Sequence, residues 1–320
     1  MIQRNEENCR PVAIERDRFR GCILALALGD AIGAPNEGGI AERLLWRMLG
    51  RTRTGQCRWT DDTQMTLDVI DTLIEDGQID QDQLATRFAD GYRWSRGYGP
   101  AAAKVLKQIR RGEDWRSVNR SVYRDGSFGN GGAMRIPALG LFYATRLNQL
   151  EDAVQAATEI THCHPLAIKG AMLIGVSTSL MAIDAPLEDV LEHSRAIGAS
   201  TTFEKKIAMA SSWLRADELV DARRVRVELG NGITASKSCV TAWYLSLRFR
   251  DLQFEQLLDF VSRVRGDTDT IGAMAGALWG ARNGVGQIPK SRVEQVERTD
   301  LLIQRADELH QCSIGRITPT

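Results

Sequence analysis

Apolar residues recur at intervals of three and four along most of this 320-residue chain, and this spacing constrains the fold more than any other feature. In residues 63–75, for example, Met65, Val69 and Leu73 form one apolar face of a helix. The same spacing continues through residues 101–111, 151–161, 165–183, 187–197, 203–215, 235–248, 254–264, 270–282 and 290–311. Alternation of apolar and polar residues, which indicates strands, is nearly absent. The sequence therefore predicts an all-α protein.

A compact single domain of many helices is the expected organisation. No stretch rich in Pro, Gly and Ser divides the chain, and no repeat of 20–50 residues indicates a helical solenoid. Residues 1–17 are polar and aperiodic, which is typical of an extension outside the packed domain. We expect the domain to cover residues 18–312, with a short tail at 313–320.

Composition argues against several classes of partner and location. The 41 basic residues equal the 41 acidic ones, so the chain lacks the positive excess typical of proteins that bind nucleic acid or anionic membranes. Six cysteines without a C-x-x-C pair indicate reduced thiols and a cytoplasmic location. The longest uncharged stretch, residues 170–183, is too short to span a bilayer and predicts a buried helix.

Two acidic clusters each precede a periodic helix. The first acidic cluster is residues 59–63 (WTDDT), and the second is residues 266–270 (GDTDT). Each alone fits a helix N-terminus, where Thr and Asp accept hydrogen bonds from free N–H groups. Together they offer hard oxygen donors without Cys or His, a set that suits Mg²⁺, Mn²⁺ or Ca²⁺ and not zinc. If the clusters meet, their crowded carboxylates require a divalent cation, but the sequence leaves open whether they do.

Five segments in a fixed order carry a resemblance to a known family. They are residues 29–37 (GDAIGAPNE), 59–63 (WTDDT), 126–135 (GSFGNGGAMR), 161–165 (THCHP) and 266–270 (GDTDT). This series resembles the ADP-ribosylglycohydrolase family, which includes dinitrogenase reductase-activating glycohydrolase, over about residues 18–312. The resemblance implies a compact all-α fold with two Mg²⁺ ions, or Mn²⁺ in their place, in a central cleft.

The resemblance also implies roles for individual residues. Glu37, Asp61 and Asp269 are expected to act in catalysis. The expected metal ligands are Thr60, Asp61, Asp62, Asp267, Asp269 and Thr270. The expected substrate-binding residues are Ser127, Phe128, Gly129, Asn130, Gly131, His162 and Ile233. For Asp30 we expect a bracing role beside the site.

The implied activity is magnesium-dependent removal of ADP-ribose from a modified protein side chain, with arginine as the first expectation. One alternative keeps the fold and changes the linkage to serine-linked ADP-ribose or O-acetyl-ADP-ribose. Another is an immunity protein that blocks an ADP-ribosylating toxin, with residues 1–17 as a candidate contact. A zinc site at His162, Cys163 and His164 is disfavoured, because three ligands crowded within three consecutive residues are poorly spaced for one tetrahedral ion.

Overall fold

The computed structural model describes residues 14–37, 43, 46, 48–218 and 220–315. Within these residues there is no strand, only three isolated β-bridges. The helices with both ends in the described residues are α1 (Arg16–Gly33), α2 (Asp61–Asp76), α3 (Gln81–Gly91), α4 (Pro100–Ile109), α5 (Trp115–Val118), α6 (Pro137–Phe142), α7 (Leu147–Glu159), α8 (Pro165–Ala182), α9 (Leu187–Gly198), α10 (Glu204–Arg215), α11 (Ala222–Glu228), α12 (Ala235–Arg248), α13 (Phe254–Val264), α14 (Thr268–Asn283), α15 (Lys290–Val293) and α16 (Thr299–Ile314). The all-α, single-domain prediction is confirmed.

Two glycine-lined helices, α1 and α14, pack antiparallel at the centre of the molecule. Gly29 faces Gly272, and Gly21 faces Gly280. A Cβ on Gly29 would overlap the carbonyl oxygen of Gly272, so only glycine permits this approach. The contact places the C-terminal end of α1 beside the N-terminal end of α14. Because the chain continues from α1 toward Glu37 and enters α14 through the second acidic cluster, this packing positions part of the site.

Helix α1 is absent from the segments that the three- and four-residue spacing predicts. Its residues are buried on nearly every side from Phe19 to Gly33, and they are almost all small or apolar. A helix surrounded by protein needs no polar face, so its sequence carries no amphipathic period. The expected boundary after residue 17 also lies inside this helix, since α1 begins at Arg16. Most of the 1–17 extension, residues 1–13, and residues 316–320 of the expected tail lie outside the described residues.

The buried helix expected around residues 170–183 is α8. Its 18 residues reach a mean hydropathy of 1.4, which by length and composition would suffice to cross a membrane. However, 72% of this helix is buried inside the fold, where it packs against α7 and α12 among others. The burial indicates a core helix, as predicted.

The segment 290–311, predicted as one helical stretch, is two helices separated by a turn. Between α15 and α16 the chain pairs with residue 57: the Cys57 N–H donates to the Gln295 carbonyl, and the Glu297 N–H donates to the Cys57 carbonyl. Arg298 then adopts a left-handed conformation with φ 53° before α16 begins. The apolar spacing is continuous through this region, but long-range backbone pairing interrupts the helix.

Candidate active site

A polar cleft of about 280 Å³ opens between the N-terminal ends of α2 and α14. Both acidic clusters contribute to it, so the structure brings together two stretches that lie about 200 residues apart in sequence. The lining residues are Glu37, Asp61, Asp62, Met65, Gly97, Gly99, Pro100, Ala101, Ala102, Tyr123, Ser127, Gly129, Asn130, Gly131, Met134, Arg135, Thr161, His162, Ile233, Asp267, Asp269 and Thr270.

The first acidic cluster starts α2, and its threonine caps that helix. The Thr60 hydroxyl accepts a hydrogen bond from the Asp62 N–H at 3.2 Å. Thr60 therefore caps the helix, and Asp61 and Asp62 line the cleft. Asp62 Oδ2 is buried without a hydrogen-bond partner, which is unusual for a carboxylate oxygen and indicates a missing cationic or donor partner.

Asp30 stabilises the backbone of the first acidic cluster through hydrogen bonds. Its buried carboxylate accepts the Thr60 N–H at 2.9 Å, the Thr63 N–H at 3.1 Å and the Thr63 hydroxyl at 2.6 Å. Glu297, on the turn before α16, accepts the Trp59 N–H at 3.1 Å and forms an ion pair with Arg96. Two buried carboxylates outside the cluster thus fix its backbone.

The second acidic cluster starts α14, and its two aspartates differ: the Asp269 carboxylate accepts the Thr270 N–H of the first turn at 2.8 Å, whereas Asp267 does not cap the helix. Asp267 occupies the N-cap position but makes no side-chain cap hydrogen bond. Its carboxylate instead accepts a hydrogen bond from the Asn130 side chain, and its N–H donates to the Asn231 carbonyl at 2.9 Å. The helix-capping interpretation therefore holds for Asp269 but not for Asp267, and in the first acidic cluster the cap is Thr60.

Three carboxylates in the cleft lie close enough to bind one ion. Glu37, Asp267 and Asp269 each offer an oxygen atom, and these atoms all lie within 4.8 Å of one another. Burial, together with repulsion from Asp269 and other neighbours, raises the pKa of Glu37 to about 11 and that of Asp267 to about 8. Burial and repulsion from neighbouring aspartates also raise the pKa values of Asp61 and Asp62 well above the ordinary value. Carboxylates crowded in this way are stabilised as anions by a divalent cation.

The donor set fits such a cation. All candidate ligands are carboxylate or hydroxyl oxygens, which suit hard divalent ions, and the unpartnered Asp62 Oδ2 is one donor in need of a partner. Glu37, expected only in catalysis, belongs to the closest group of three. Asp61 and Asp62 line the same cleft without being part of that group.

Most of the residues predicted to bind substrate line the cleft, but two predicted site residues do not. Phe128 has 46% of its surface exposed and packs edge-on against His164, outside the cleft lining. Thr60, expected as a metal ligand, caps α2 and is outside the lining, but its hydroxyl oxygen keeps a second lone pair, so its role as a ligand stays a prediction. The remainder of that set, including Ser127, Gly129 and Ile233, does line the cleft.

Some polar groups of the glycine-rich loop, residues 126–132, are already used in hydrogen bonds within the protein. The Gly129 N–H donates to the Ser127 hydroxyl at 3.3 Å, and the Asn130 N–H donates to the Ile233 carbonyl at 2.9 Å. The Asn130 side chain donates to Ser238 as well as to Asp267. Asn130 therefore holds the loop and the second acidic cluster together, a role that the sequence does not indicate.

Arg135 is the main residue of the cleft that the sequence analysis missed. Its guanidinium is fully buried at the cleft wall and lies over the Phe88 ring, with 4.4 Å between the guanidinium carbon and the ring centroid. A charged residue inside the otherwise apolar run 133–142 was the available signal. Glu297, by contrast, has no local signal, because its partners are 201 and 238 residues away in sequence.

The fold and the cleft together define a class: all-helical proteins with an acidic, cation-binding centre between two helix N-termini. A sequence model of the family described as ADP-ribosylglycohydrolase matches residues 11–317, and the chain belongs to this family. The chain is similar to ADP-ribosylhydrolase ARH3 from Mus musculus, with 31% identity over 343 aligned positions and 92% of each chain covered. It is also similar to ADP-ribosylhydrolase ARH3 from Danio rerio, with 30% identity and coverage of 92% of this chain and 90% of the relative.

A solved structure shows the same fold. The structure titled "ADP-ribosylglycohydrolase-related protein complex" aligns with a TM-score of 0.70 and 24% identity, covering 93% of this chain and 98% of its own. Family membership confirms the resemblance found in the sequence. The protein is an enzyme that hydrolyses glycosyl bonds to ADP-ribose.

Proposed function

We propose that this enzyme hydrolyses O-linked ADP-ribose conjugates, such as serine-linked ADP-ribose or O-acetyl-ADP-ribose, with Mg²⁺ as its ion. Two ions fit the number of carboxylates that converge on the cleft, with Mn²⁺ as an alternative. This choice differs from the first expectation, arginine, which came from the resemblance to dinitrogenase reductase-activating glycohydrolase. The relatives described above carry a different name, ADP-ribosylhydrolase ARH3.

The charge of the cleft walls supports an O-linked substrate. Apart from the four aspartates at the proposed metal centre and the proposed proton acceptor Glu37, the lining includes no acidic side chain among the described residues, and its one other charged residue is Arg135. An arginine-linked substrate carries a guanidinium that is already cationic, and such a group is stabilised by a carboxylate that is not engaged elsewhere. A serine hydroxyl or an acetate needs no anionic partner. A neutral wall beside Arg135 therefore favours the oxygen linkage.

The proposed roles follow from position. Asp61, Asp62, Asp267 and Asp269 hold the cations, with Thr270 beside them in the lining. Bound cations would neutralise these carboxylates and polarise oxygen atoms of the substrate. Glu37 lies within 4.8 Å of the Asp267 and Asp269 oxygens. A cation bound there would favour the ionised form of Glu37, whose carboxylate would then accept a proton from the water that attacks the anomeric carbon. Ser127, Gly129, Gly131, His162 and Ile233 form the wall along which ADP-ribose would lie.

A direct comparison of linkages tests the proposal. The purified enzyme is incubated with a serine-linked ADP-ribosyl peptide, an arginine-linked peptide and O-acetyl-ADP-ribose, each in excess Mg²⁺ and again in excess EDTA. We expect release of ADP-ribose from the O-linked substrates at least about 10-fold faster than from the arginine-linked peptide, and no release in EDTA. Faster release from arginine would overturn the linkage, and full activity in EDTA would overturn the metal requirement.

The toxin-blocking alternative and the cytoplasmic location stay predictions. The candidate contact for a toxin lies in residues 1–17, of which 1–13 are outside the described residues. A variant that lacks residues 1–13 keeps α1 intact, because this helix begins at Arg16. Binding of an ADP-ribosylating toxin to the full chain and not to this variant, at equal hydrolase activity, would support the alternative.

A further inference from the structure

A buried guanidinium controls the hydrogen bonds behind the cleft wall. Arg135 has no exposed surface and forms no ion pair with any described carboxylate. Its Nη1 donates to the Gly131 carbonyl at 3.0 Å, and its Nη2 donates to the Ala157 carbonyl at 2.7 Å and to the Thr161 hydroxyl at 2.9 Å. An arginine side chain donates hydrogen bonds and never accepts them. The Thr161 oxygen is therefore an acceptor toward Arg135.

This acceptor role determines the direction of the next hydrogen bond. The Thr161 hydroxyl lies 2.8 Å from His162 Nδ1, and no other described side chain or carbonyl accepts its hydrogen. If Nδ1 carried a hydrogen and donated it to Thr161, the hydroxyl hydrogen would be buried without an acceptor. Buried polar hydrogens without a partner are rare because they lose hydration and gain nothing in return. The satisfied arrangement has Thr161 donating to an unprotonated Nδ1.

We propose that Arg135 and Thr161 are positioning residues that fix His162 as the tautomer with its hydrogen on Nε2, so that the ring donates a hydrogen bond to an oxygen of ADP-ribose. The inference rests on the proposed function for its ligand. It assigns Arg135 and Thr161 no contact with the reacting atoms.

The surroundings of Nε2 are consistent with a donor that faces the ligand. The ring lies against the glycine-rich loop: a Cβ on Gly131 would come within 2.9 Å of Nε2, and one on Gly129 within 3.3 Å. No described residue accepts a hydrogen bond from Nε2, and the ring lines the cleft. Burial and the positive charge of Arg135 lower the pKa of His162 to about 3, so the ring is neutral at physiological pH. A neutral ring must present either a donor or a lone pair at Nε2, and phosphate and ribose oxygens accept from the donor.

Nuclear magnetic resonance of the histidine nitrogens in the ligand-free protein tests the tautomer directly. The chain contains only four histidines, and a His162→Asn variant assigns the resonance of interest. We expect the wild-type protein to show His162 protonated at Nε2 and unprotonated at Nδ1. Protonation at Nδ1 instead would overturn the inference without any measurement of activity.

A matched pair of variants tests whether the Thr161 hydroxyl fixes the His162 tautomer. Thr161→Val removes the hydroxyl at nearly constant volume, whereas Thr161→Ser keeps it. We expect Thr161→Val to yield a mixture of His162 tautomers and to weaken ADP-ribose binding, measured by calorimetry, about 10-fold. Thr161→Ser should restore the wild-type spectrum and bind within about 2-fold of wild type. An unchanged tautomer and an unchanged affinity for ADP-ribose in Thr161→Val would refute this role of Thr161.

The two measurements separate this inference from the proposed function. If wild-type protein does not bind ADP-ribose, the proposed function fails while the spectra still decide the tautomer. If ADP-ribose binds but the spectra show Nδ1 protonated, the inference alone fails. Arg135→Lys, which keeps a donor and a positive charge, should preserve the tautomer; a mixture of tautomers in this variant would show that a charged donor at position 135 is not sufficient to fix the ring.

Discussion

The two acidic clusters have similar sequences, but the fold holds them by different means. The first acidic cluster is fixed by hydrogen bonds from its backbone to two buried carboxylates, Asp30 and Glu297. The second is fixed by close contact: Gly33 at the end of α1 lies against the Asp269 backbone, and Gly266 lies against Asn231. Hydrogen bonds hold both clusters, since Asn130 and Asn231 also bond Asp267, but only the second depends on close approach at positions without a side chain.

This difference predicts different vulnerabilities. Polar substitutions around the first acidic cluster remove acceptors from buried N–H groups, which costs free energy because those groups cannot return to water. Around the second cluster, one added methyl group on a glycine is enough to lower stability, since backbone atoms already occupy the space that the methyl group would need. The following changes, from the largest expected effect to the smallest, test whether the comparison holds.

Removing one carboxylate from either cluster should abolish most activity. If both clusters serve one metal centre, Asp61→Asn and Asp269→Asn each lower kcat/KM by at least about 100-fold, because each removes a proposed ligand. Steady-state rates of ADP-ribose release measure this effect, with Asp90→Asn, an exposed aspartate, as the control. A nearly full rate in either variant would mean that only one cluster is needed.

A methyl group between α1 and α14 should lower stability. Gly29→Ala places a Cβ against the Gly272 carbonyl, so we expect the free energy of unfolding to fall by about 3 kcal/mol. Urea unfolding monitored by circular dichroism measures the change. Gly99→Ala is the matched control, since a Cβ there meets no atom within 4 Å, and its effect should stay below about 0.5 kcal/mol. Equal effects would contradict the role assigned to close packing.

Loss of the Glu297 carboxylate should weaken the first acidic cluster alone. Glu297→Gln replaces a buried ion pair with Arg96 and a charged acceptor of the Trp59 N–H, so we expect a loss of about 2 kcal/mol of stability. The control is Glu188→Gln, whose pair with Arg215 is more than half exposed on both sides and should contribute less than about 1 kcal/mol. Thermal unfolding of the two variants distinguishes them.

The helices that follow the clusters also differ, and pH should reveal it. Helix α2 carries a further buried carboxyl beyond the cluster, Asp68, whereas α14 has no acid after Asp269. Burial raises the pKa of Asp68 to about 7, so the folded state binds more protons than the unfolded state between about pH 4 and pH 7. Its contribution to stability therefore falls as the pH rises through that window.

The Asp68→Asn variant should remove this pH dependence. Relative to wild type, we expect its stability to rise between pH 4 and pH 8 by an amount on the order of 1 kcal/mol. Unfolding curves at both pH values, with Asp90→Asn as the control, measure the difference. A constant offset between Asp68→Asn and wild type at all pH values would show that the carboxyl does not titrate as described.

Local features of the chain could be predicted well from the sequence. The amphipathic spacing located most helices. Both acidic clusters were correctly placed at helix starts. The family resemblance, confirmed by the family match, supplied the enzyme class. These features depend on residues within a few positions of one another, or on short sequence motifs that can be recognised one at a time.

Other features were decided only by the tertiary structure. The sequence itself determined where the chain is helical and which side chains offer hard oxygen ligands, because periodicity and residue chemistry are local properties. The fold decided that α1 is the central helix, that residues 290–311 break into α15 and α16, and that Glu37 joins Asp267 and Asp269. Arg135 gained its place behind the cleft in the same way. Each of these outcomes depends on contacts between distant segments, and no local pattern records which segments will meet when the core is packed.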